Sequence, residues 1–299
     1  MNAKSRVIVF GSINVDLVAE VDRLPGPGET IKTTRYSALP GGKGANQALA
    51  AARNGAVTLM AGAVGSDGQG PTALAQLRSA GVDLTAVGGV EGPSGLAMIA
   101  VDAGGENQII VVSGANDAAT CAHLPELGQS DWLVTQNEIN WTETAQAHQR
   151  ARGQGASVIH NTAPAHRLSA QDMAQINVLI ANEHELTQAA GFEVARAVSP
   201  DEEARALLTA GVGAVVLTLG AKGAALYQGD EPVLTVPAVA AEVRDTTGAG
   251  DAFVGALAAA LAAGEALPDA VATANRYAAR VCEVLGAQTP PALLQTPEF

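Results

Sequence analysis

The stretch D-T-T-G-A-G-D-A-F-V-G-A-L, residues 245–257, decides the fold of this chain. Its polar half contains Gly248 and Gly250 and runs without a break into an Ala- and Leu-rich run over residues 252–263, which predicts a helix. The turn therefore brings Asp251 and several free backbone N–H groups to one helix N-terminus. Such a terminus has unpaired donors and the positive end of the helix dipole, so it favours an anion.

The same turn carries a candidate base beside a candidate anion hole. Gly248 and Gly250 have no side chain to keep the backbone away from phosphate oxygens. Asp251 can accept a proton from a hydroxyl while the neighbouring amides hold developing negative charge. The alternative is an ordinary turn in which Asp251 only caps the helix. The rest of the chain has to decide between the two.

Composition limits the class of protein and its partners. The chain has 299 residues, 47% of them hydrophobic and 16% charged, which suits a compact protein with a large core. A net charge of −13 argues against a sequence-independent grip on nucleic acid or on an anionic membrane, since both require clustered Lys and Arg. A phosphate site here would depend on backbone amides, a few cations and a metal.

Cysteine content and hydropathy predict a cytoplasmic protein. Cys121 and Cys282 are too few for a disulfide framework and lack the paired spacing of metal ligands, which favours a reducing compartment. The first apolar run, residues 7–10, is far too short to span a bilayer, and we find no signal peptide.

Most of the chain alternates strand-like and helix-like segments, which predicts an α/β fold with a doubly wound, mostly parallel sheet and helices on both faces. The expected strands are residues 6–11, 57–63, 131–136, 157–160, 178–181 and 214–219, followed by a strand pair at 224–227 and 233–236. No linker separates two units, so we expect a single domain over residues 1–299.

Two inserted segments, about 14–40 and 90–115, have a different character. Short alternating runs at residues 17–21 and 31–36 flank P-G-P-G, and the second segment turns at Gly104-Gly105. We expect them to form a small antiparallel sheet that covers the substrate edge as a lid. Its exposed face would suit a homodimer contact.

Polar residues recur where the expected strands end, and ligands of open α/β sheets collect at that edge. They are Asn14 and Asp16, Glu138, Asn182 and Glu185, and the turn T-L-G-A-K-G at residues 218–223, where Lys222 could add positive charge. The run G-G-K-G-A-N-Q-A, residues 41–48, opens a helix with Lys43 and Asn46 on its first turn. It is not a P-loop, because Lys43 is followed by Gly44 instead of Ser or Thr.

Residues 41–48 and D-T-T-G-A-G-D-A-F, residues 245–253, resemble the two signatures of the ribokinase-type carbohydrate kinases. The resemblance covers essentially the whole chain and includes G-S-I-N-V-D (11–16), G-E-N-Q-I-I-V-V-S-G-A-N (105–116), N-T-A-P-A (161–165) and N-E-H-E (182–185). It implies a doubly wound α/β fold with a β-sheet lid, often paired in a dimer. It also implies phosphoryl transfer from ATP to the primary hydroxyl of a sugar, and these further motifs favour O5 of D-ribose as the acceptor.

The resemblance implies roles for individual residues. Asp251 matches the base, and Ala249 and Gly250, beside Gly248, match the anion hole. Positions that match sugar contacts are Asn14, Asp16, Gly42, Lys43, Asn46 and Glu138. Positions that match nucleotide contacts are Asn182, Thr218, Gly220, Gly223 and Asn275. Asn182 with Glu185 matches an element linked to Mg²⁺ through water.

The family also uses a monovalent cation, K⁺, held largely by carbonyl groups. Positions that match its site are Asp245, Thr247, Val281, Val284 and Gly286. The tail departs from the pattern, because G-A-Q-T-P-P, residues 286–291, places Pro290 beside Thr289 where relatives have a serine hydroxyl. Pro290 is thus the expected last position of the site.

Other functions remain open at this point. Within the kinases, the acceptor could be 2-deoxyribose, a fructose-type sugar or a nucleoside. G-Q-G-P-T-A, residues 68–73, with Glu91 further on fits a dinucleotide fingerprint, although Pro71 removes an N–H from the phosphate turn. A non-catalytic sugar-binding protein could use the same fold, although the Asp251 turn argues against it. No histidine lies in a catalytic pattern.

Overall fold

The structure, a computed structural model, describes residues 5–191 and 198–288. The strands are β1 (Arg6–Phe10), β2 (Asn14–Glu20), β3 (Tyr36–Gly41), β4 (Val57–Gly65), β5 (Asp83–Val90), β6 (Gly95–Val101), β7 (Asn107–Val112), β8 (Trp132–Thr135), β9 (Ser157–Asn161), β10 (Val178–Ala181), β11 (Ala214–Thr218), β12 (Ala224–Gln228) and β13 (Leu234–Val236). The α-helices are α1 (Lys43–Arg53), α2 (Gly70–Ala73), α3 (Ala75–Ser79), α4 (Trp141–Gly153), α5 (Ala170–Met173), α6 (Glu183–Ala189), α7 (Pro200–Thr209), α8 (Ala249–Ala262) and α9 (Leu267–Val281). Within these residues no helix is long and apolar enough to cross a bilayer.

Nine strands form the main sheet, in the order β13-β12-β11-β10-β9-β8-β1-β4-β5. From β11 to β5 every pair of neighbours runs parallel, and β12 and β13 add an antiparallel edge. The chain extends from β1 to β4 and β5 on one side and from β8 to β13 on the other, so the strand order reverses beside β1. Ligands of such sheets bind at the carboxyl ends near this reversal. The predicted doubly wound α/β fold is confirmed.

The sheet is buried on both faces, as the apolar run at residues 7–10 of β1 requires. Val7 and Val9 pack into a core with α1, α8 and α9, whereas Ile8 and Phe10 pack into a second core with α4. All four side chains are fully buried. Because successive side chains of a strand point to opposite faces, one continuous apolar run serves both cores.

A second sheet has four strands in the order β3-β2-β6-β7. The outer pairs β2–β3 and β6–β7 are antiparallel, but the central pair β2–β6 is parallel, so the small sheet is mixed rather than wholly antiparallel. The reason lies in the main sheet, where β1 and β5 run in the same direction. Because β2 follows β1 and β6 follows β5, the chain leaves the main sheet twice in the same direction.

Three details differ from the sequence-based expectation. The run at 31–36 is not a strand before Tyr36, because the ladder with β2 reaches only from Gly41 to Tyr36, which pairs with Ala19. The edge strand β5 was not expected; Gly88 and Gly89 break its apolar pattern. Helix α8 begins at Ala249, earlier than the predicted 252, because Gly248 adopts a left-handed φ of 76° and serves as its N-cap.

Candidate active site

Asp251 lies in the first turn of α8 and is buried, with 7% of its surface exposed. Its carboxylate faces the first turn of α1. Asn46 Nδ2 donates to Oδ2 and Gln47 Nε2 donates to Oδ1, both at 2.9 Å. Hydrogen bonds to a charged acceptor are stronger than neutral ones, so these two amides hold the carboxylate in one orientation. Asp251 is therefore not a simple N-cap.

A cavity of about 190 Å³ opens beside Asp251. Its walls come from the starts of α1 and α8 and from the carboxyl ends of β9, β10 and β11. The lining residues are Lys43, Asn161, Ala163, Ile180, Asn182, Glu185, Thr218, Gly248, Gly250 and Asp251. The cavity thus combines carboxylates, a lysine, carboxamides and a glycine turn at the edge of the sheet where ligands are expected.

The two glycines of the turn have different physical roles. Gly248 needs its left-handed backbone, and a Cβ there would lie 2.6 Å from Cβ of Ala287. At Gly250 a Cβ would meet nothing within 4 Å, so its backbone is open to the cavity. The N–H of Ala249 donates to the carbonyl of Thr246 at 3.1 Å and closes the turn instead of pointing to a ligand. The open part of the turn therefore lies at Gly250 and Asp251.

Glu138 and Lys43 anchor the start of α1. The N–H of Lys43 donates to Oε2 of Glu138 at 3.0 Å, and the hydroxyl of Ser12 donates to the same oxygen. The negative charge of Asp251, with smaller effects from Glu138 and Glu185, raises the pKa of Lys43 even though burial opposes it. A lysine that is charged among carboxylates can neutralise an added phosphate. Gly42 is required here, because its φ is 90° and a Cβ would meet the N of Asn14 at 2.8 Å.

Asn14 and Asp16 lie where β1 passes into β2. Asn116 Nδ2 donates to Oδ1 of Asn14 at 2.7 Å. This contact fixes the carbonyl side of the Asn14 amide, so its NH₂ group can donate to a ligand. Burial, then the charges of Glu138 and Asp251, raise the pKa of Asp16 to about 6. The three acids therefore lie close enough to interact, and the structure brings the expected sugar-contact residues together.

The nucleotide-related positions divide into two groups. Asn182 and Glu185 form a capping box at the start of α6, in which Oε2 of Glu185 accepts the N–H of Asn182. Both line the cavity, as does Thr218, whose hydroxyl donates to the carbonyl of Ala181 at 3.3 Å. Burial raises the pKa of Glu185.

The second group lies outside the lining of that cavity. Gly220 and Lys222 form an exposed 3₁₀ turn after β11, and Gly223 follows with a φ of 98°. The side chain of Asn275, on α9, donates to the carbonyls of Val236 at 3.2 Å and Pro237 at 3.4 Å. Asn275 thus holds the chain that follows β13.

Two loops meet at the expected cation positions. The N–H groups of Arg244 and Asp245 donate to the carbonyl of Cys282 at 2.8 and 3.1 Å. The carboxylate of Asp245 accepts the N–H of Thr247 and the N–H of Gly286, each at 2.8 Å. Val281 ends α9, and its carbonyl accepts the N–H of Val284 at 3.3 Å. Pro290 lies outside the described residues.

The described part of the chain contains no cluster of three His, Cys, Asp or Glu side chains that could hold a metal. Both oxygens of Asp245 accept backbone N–H groups, so its carboxylate braces the two loops and carbonyls remain as candidate ligands. Hard oxygen donors of this kind fit a hard monovalent cation.

Sequence reasoning missed three residues at the site. Gln47 contacts Asp251, Asn161 lines the cavity, and Asn116 orients Asn14. Gln47 lies four residues after Lys43 and hence on the same face of α1, which was a usable signal. Asn161 ends β9, so the rule applied to the other strand ends would have found it. Nothing local marks Asn116, which lies 102 residues from its partner.

The alternative dinucleotide site has no suitable helix. Helix α2, which follows residues 68–69, has only four residues, Gly70–Ala73. The preceding Asp67 is engaged by the N–H and hydroxyl of Ser94, both at 2.8 Å. A pyrophosphate would need a longer helix N-terminus and a turn without this carboxylate.

A doubly wound sheet whose carboxyl edge gathers a buried carboxylate, a lysine and an open glycine turn around one cavity defines a small-molecule phosphotransferase. Residues 4–293 match the pfkB family carbohydrate kinase, and the chain belongs to this family.

Named relatives agree with this assignment. The ribokinase of Haemophilus influenzae is 34% identical over 99% of this chain and 98% of its own length. The crystal structure of ribokinase from Thermotoga maritima superimposes with a TM-score of 0.89, at 31% identity, over 97% of this chain and 98% of its own. The structure of Arabidopsis thaliana ribokinase complexed with ribose and ATP gives a TM-score of 0.86, at 30% identity, over 99% of this chain and 100% of its own.

Proposed function

We propose that this chain transfers the γ-phosphoryl group of ATP to the O5 hydroxyl of D-ribose, giving D-ribose 5-phosphate and ADP. The observation that carries the proposal is the position of Asp251, buried, held by two amides and open to the cavity. The relatives support the choice of substrate, since they are named ribokinases and one was solved with ribose and ATP.

Asp251 acts as the base. The O5 proton passes to its carboxylate while O5 forms a bond to the γ-phosphorus and the bond from that phosphorus to the bridging oxygen of ADP breaks. Charge on the transferred group is met by the open backbone at Gly250 and by the lysine at 43. Because Asp251 cannot rotate away from Asn46 and Gln47, it is oriented before the sugar binds.

The sugar occupies the side of the site near β2 and α1. Its hydroxyls are contacted by Asn14, Asp16, Gly42, Lys43, Asn46 and Glu138. Glu138 also has a structural role, because one of its oxygens is engaged by Ser12 and Lys43. The half-buried acid Asp16 is the strongest candidate for selecting hydroxyl positions, since a carboxylate that is shielded from water and left without a partner is costly.

ATP occupies the side of the site near α6 and β11. Residues proposed to contact it are Asn182, Thr218, Gly220, Lys222, Gly223, Gly250 and Asn275. Glu185 would hold Mg²⁺ through water; its carboxylate lines the cavity, and oxygen donors suit this ion. When bound, Mg²⁺ neutralises phosphate charge. K⁺ would be held by Asp245, Thr247, Val281, Val284 and Gly286, with Pro290 as the expected last position.

We also propose that the chain is a single unit that works as a homodimer in the cytoplasm, with the four-stranded sheet as lid and interface. Apolar side chains on that sheet are exposed, including Tyr36 at 75%, Met98, Ile109 and Ile110. A face of this kind is typical of an interaction surface. Light scattering after size exclusion should give twice 30.0 kDa, and Ile110→Glu should give 30.0 kDa.

The test of the reaction is a coupled assay for ADP release with purified protein, ATP, Mg²⁺ and K⁺. D-ribose should give the highest kcat/KM among D-ribose, 2-deoxyribose, fructose and adenosine, and ³¹P NMR should show a phosphate ester on C5. A higher kcat/KM for another acceptor would reassign the substrate. No ADP release with any of the four would overturn the kinase assignment of this site.

A further inference from the structure

Two chains of side-chain amides converge on Asp251, one on each carboxylate oxygen. In the first, Gln136 Nε2 donates to Oε1 of Gln47 at 2.6 Å, and Gln47 Nε2 donates to Oδ1 of Asp251 at 2.9 Å. In the second, Gln288 Nε2 donates to Oδ1 of Asn46 at 2.9 Å, and Asn46 Nδ2 donates to Oδ2 of Asp251 at 2.9 Å. Each carboxylate oxygen is therefore the end of one chain.

The direction of both chains follows from the carboxylate. An ionised carboxylate only accepts hydrogen bonds, so Asn46 and Gln47 must turn their NH₂ groups towards it. Their carbonyl oxygens then face away and need a donor. Gln136 and Gln288 supply it. If either glutamine were replaced by a group without a donor, the carbonyl oxygen of the inner amide would lose its donor. Gln47 would keep its Nε2 contacts to Asp251 and, at 3.2 Å, to Oδ1 of Asn161.

Neither outer glutamine lines the cavity beside Asp251. Gln136 is fully buried directly after β8, and Gln288 is 7% exposed in the loop that contains the expected cation position Gly286. Their own Oε1 atoms have no hydrogen-bond partner among the described residues. Buried acceptors without partners are unfavourable for folding, so folding alone does not account for an amide rather than an apolar side chain at these positions.

The backbone leaves room for one of these glutamines. A Cβ on Gly11 would lie 1.9 Å from Oε1 of Gln136, so only a residue without a side chain is compatible with this position of the amide. Gly11 directly follows β1 and precedes the segment with Asn14 and Asp16. The outer end of the Gln136 chain is thus accommodated by a strand end of the same site.

We propose that Gln136 and Gln288 are positioning residues, each of which orients one amide on α1 so that Gln47 and Asn46 hold the base Asp251 against rotation. The inference rests on the proposed function, in which Asp251 takes the proton from the sugar hydroxyl. A base displaced by a fraction of an ångström loses alignment with the acceptor oxygen, and such losses reach about 100-fold in rate.

The two chains predict different kinetic effects. Gln136→Met, which keeps the size but removes the donor, should lower kcat about tenfold or more and leave KM for D-ribose and ATP unchanged, because Gln47 contacts the base and not the sugar. Gln288→Met should lower kcat similarly and also raise KM for D-ribose, because Asn46 is the proposed sugar contact. A purely structural role for the glutamines would not produce this division.

Double-mutant cycles test whether each glutamine acts through its amide. Gln136→Met should have no further effect on kcat in a Gln47→Ala background, and Gln288→Met none in an Asn46→Ala background. Gln154→Met is the matched control: Gln154 accepts the N–H of Leu127 at 2.8 Å and donates to Glu126 at 2.7 Å at the end of α4, away from the site. It should lower the Tm and leave kcat unchanged.

Several outcomes would overturn the proposal. The first is wild-type kcat in both single glutamine variants. The second is an equal loss of kcat whether or not the inner amide is present. The third is a loss of kcat in Gln154→Met, which would show that a fall in Tm alone lowers turnover. If Gln47→Ala does not fold, the Asn46 cycle decides alone. The turnover of the wild-type protein and its loss in Asp251→Ala are measured first. Failure of the kinase assignment is then separated from failure of the positioning roles of Gln136 and Gln288.

Discussion

A Cβ added to Gly255 would lie 2.3 Å from the carbonyl oxygen of Gln47. Gly255 is one helical turn beyond Asp251 on α8, and Gln47 is on the first half of α1, so the two helices that form the site pack closely at this contact. Because the backbones of the two helices pack directly against each other here, the side-chain amides of Asn46 and Gln47 can reach the carboxylate of Asp251.

Gly255→Ala should therefore destabilise the protein and reduce activity together. The added methyl group meets a backbone carbonyl that cannot move without shifting α1, and overpacking of this kind costs about 1–3 kcal/mol. Denaturant unfolding should show that loss, and kcat should fall because the amides of α1 move away from Asp251. Gly153→Ala on α4 is the control: its Cβ meets nothing within 4 Å, so it should be neutral or slightly stabilising. Unchanged stability of the Gly255 variant would contradict the close contact.

Asp251→Ala should lower kcat by about 10²- to 10⁴-fold, the usual contribution of a general base. Sugar binding should largely survive, because most proposed contacts to the sugar come from other side chains. Steady-state kinetics and calorimetry with D-ribose measure the two effects separately. Near-normal turnover in this variant would remove Asp251 from the role of base.

Sugar binding should tighten as the pH rises through about 6. Burial and the charges of Glu138 and Asp251 raise the pKa of Asp16 to about 6, so this carboxyl is protonated below that pH and ionised above it. An ionised carboxylate accepts hydroxyl hydrogen bonds more strongly than a neutral one. Calorimetric Kd values for D-ribose between pH 5 and 7.5 should show the change, and Asp16→Asn should bind more weakly and lose it. The same pH dependence in both proteins would exclude Asp16 as its source.

The free energy of unfolding should fall as the pH is lowered from 6.5 towards 4. Thr135 contacts Nε2 of His148 at 2.7 Å and Nδ1 of His160 at 2.9 Å, and both rings are fully buried. Burial lowers the pKa of His148 to about 4, with Asp172 opposing, and lowers the pKa of His160 well below its usual value. Between the unfolded pKa of 6.5 and the lower folded pKa, the unfolded chain binds more protons than the folded one. The contribution of these histidines to stability is therefore fully present above pH 6.5 and is lost as the pH falls towards the folded pKa.

For His148 the free energy of unfolding should fall by about 1.4 kcal/mol for each pH unit in this range. The raised pKa of Asp16 acts in the opposite direction, with its stability present at low pH and lost as the pH rises through about 6. The effect of His148 is therefore measured as the difference in the free energy of unfolding between the wild-type protein and His148→Gln. His148→Gln cannot titrate and should flatten the acid side of the stability curve by that slope. Parallel curves for the two proteins from pH 6.5 to 4 would show that His148 does not contribute.

The sequence alone determined the fold class and the edge of the sheet where the site lies. Strand and helix periods are local properties of the chain, so the runs at 178–181 and 214–219 predicted β10 and β11 almost to the residue. The glycine turn before Asp251 predicted a helix N-terminus for the same reason. Polar residues at strand ends predicted a common edge, since parallel strands place their carboxyl ends together.

Only the tertiary structure decided which side chains touch. The partners of Asp251 are about 205 residues away in sequence, and Gln288 lies 242 residues from Asn46. No local pattern records such pairs, because they depend on how α1, α8 and the tail pack against one sheet. The parallel pairing of β2 with β6 has the same origin, since it follows from the direction in which two distant strands leave the main sheet. Periodicity is set within a few residues, whereas contact and register are set by the packing of the whole molecule.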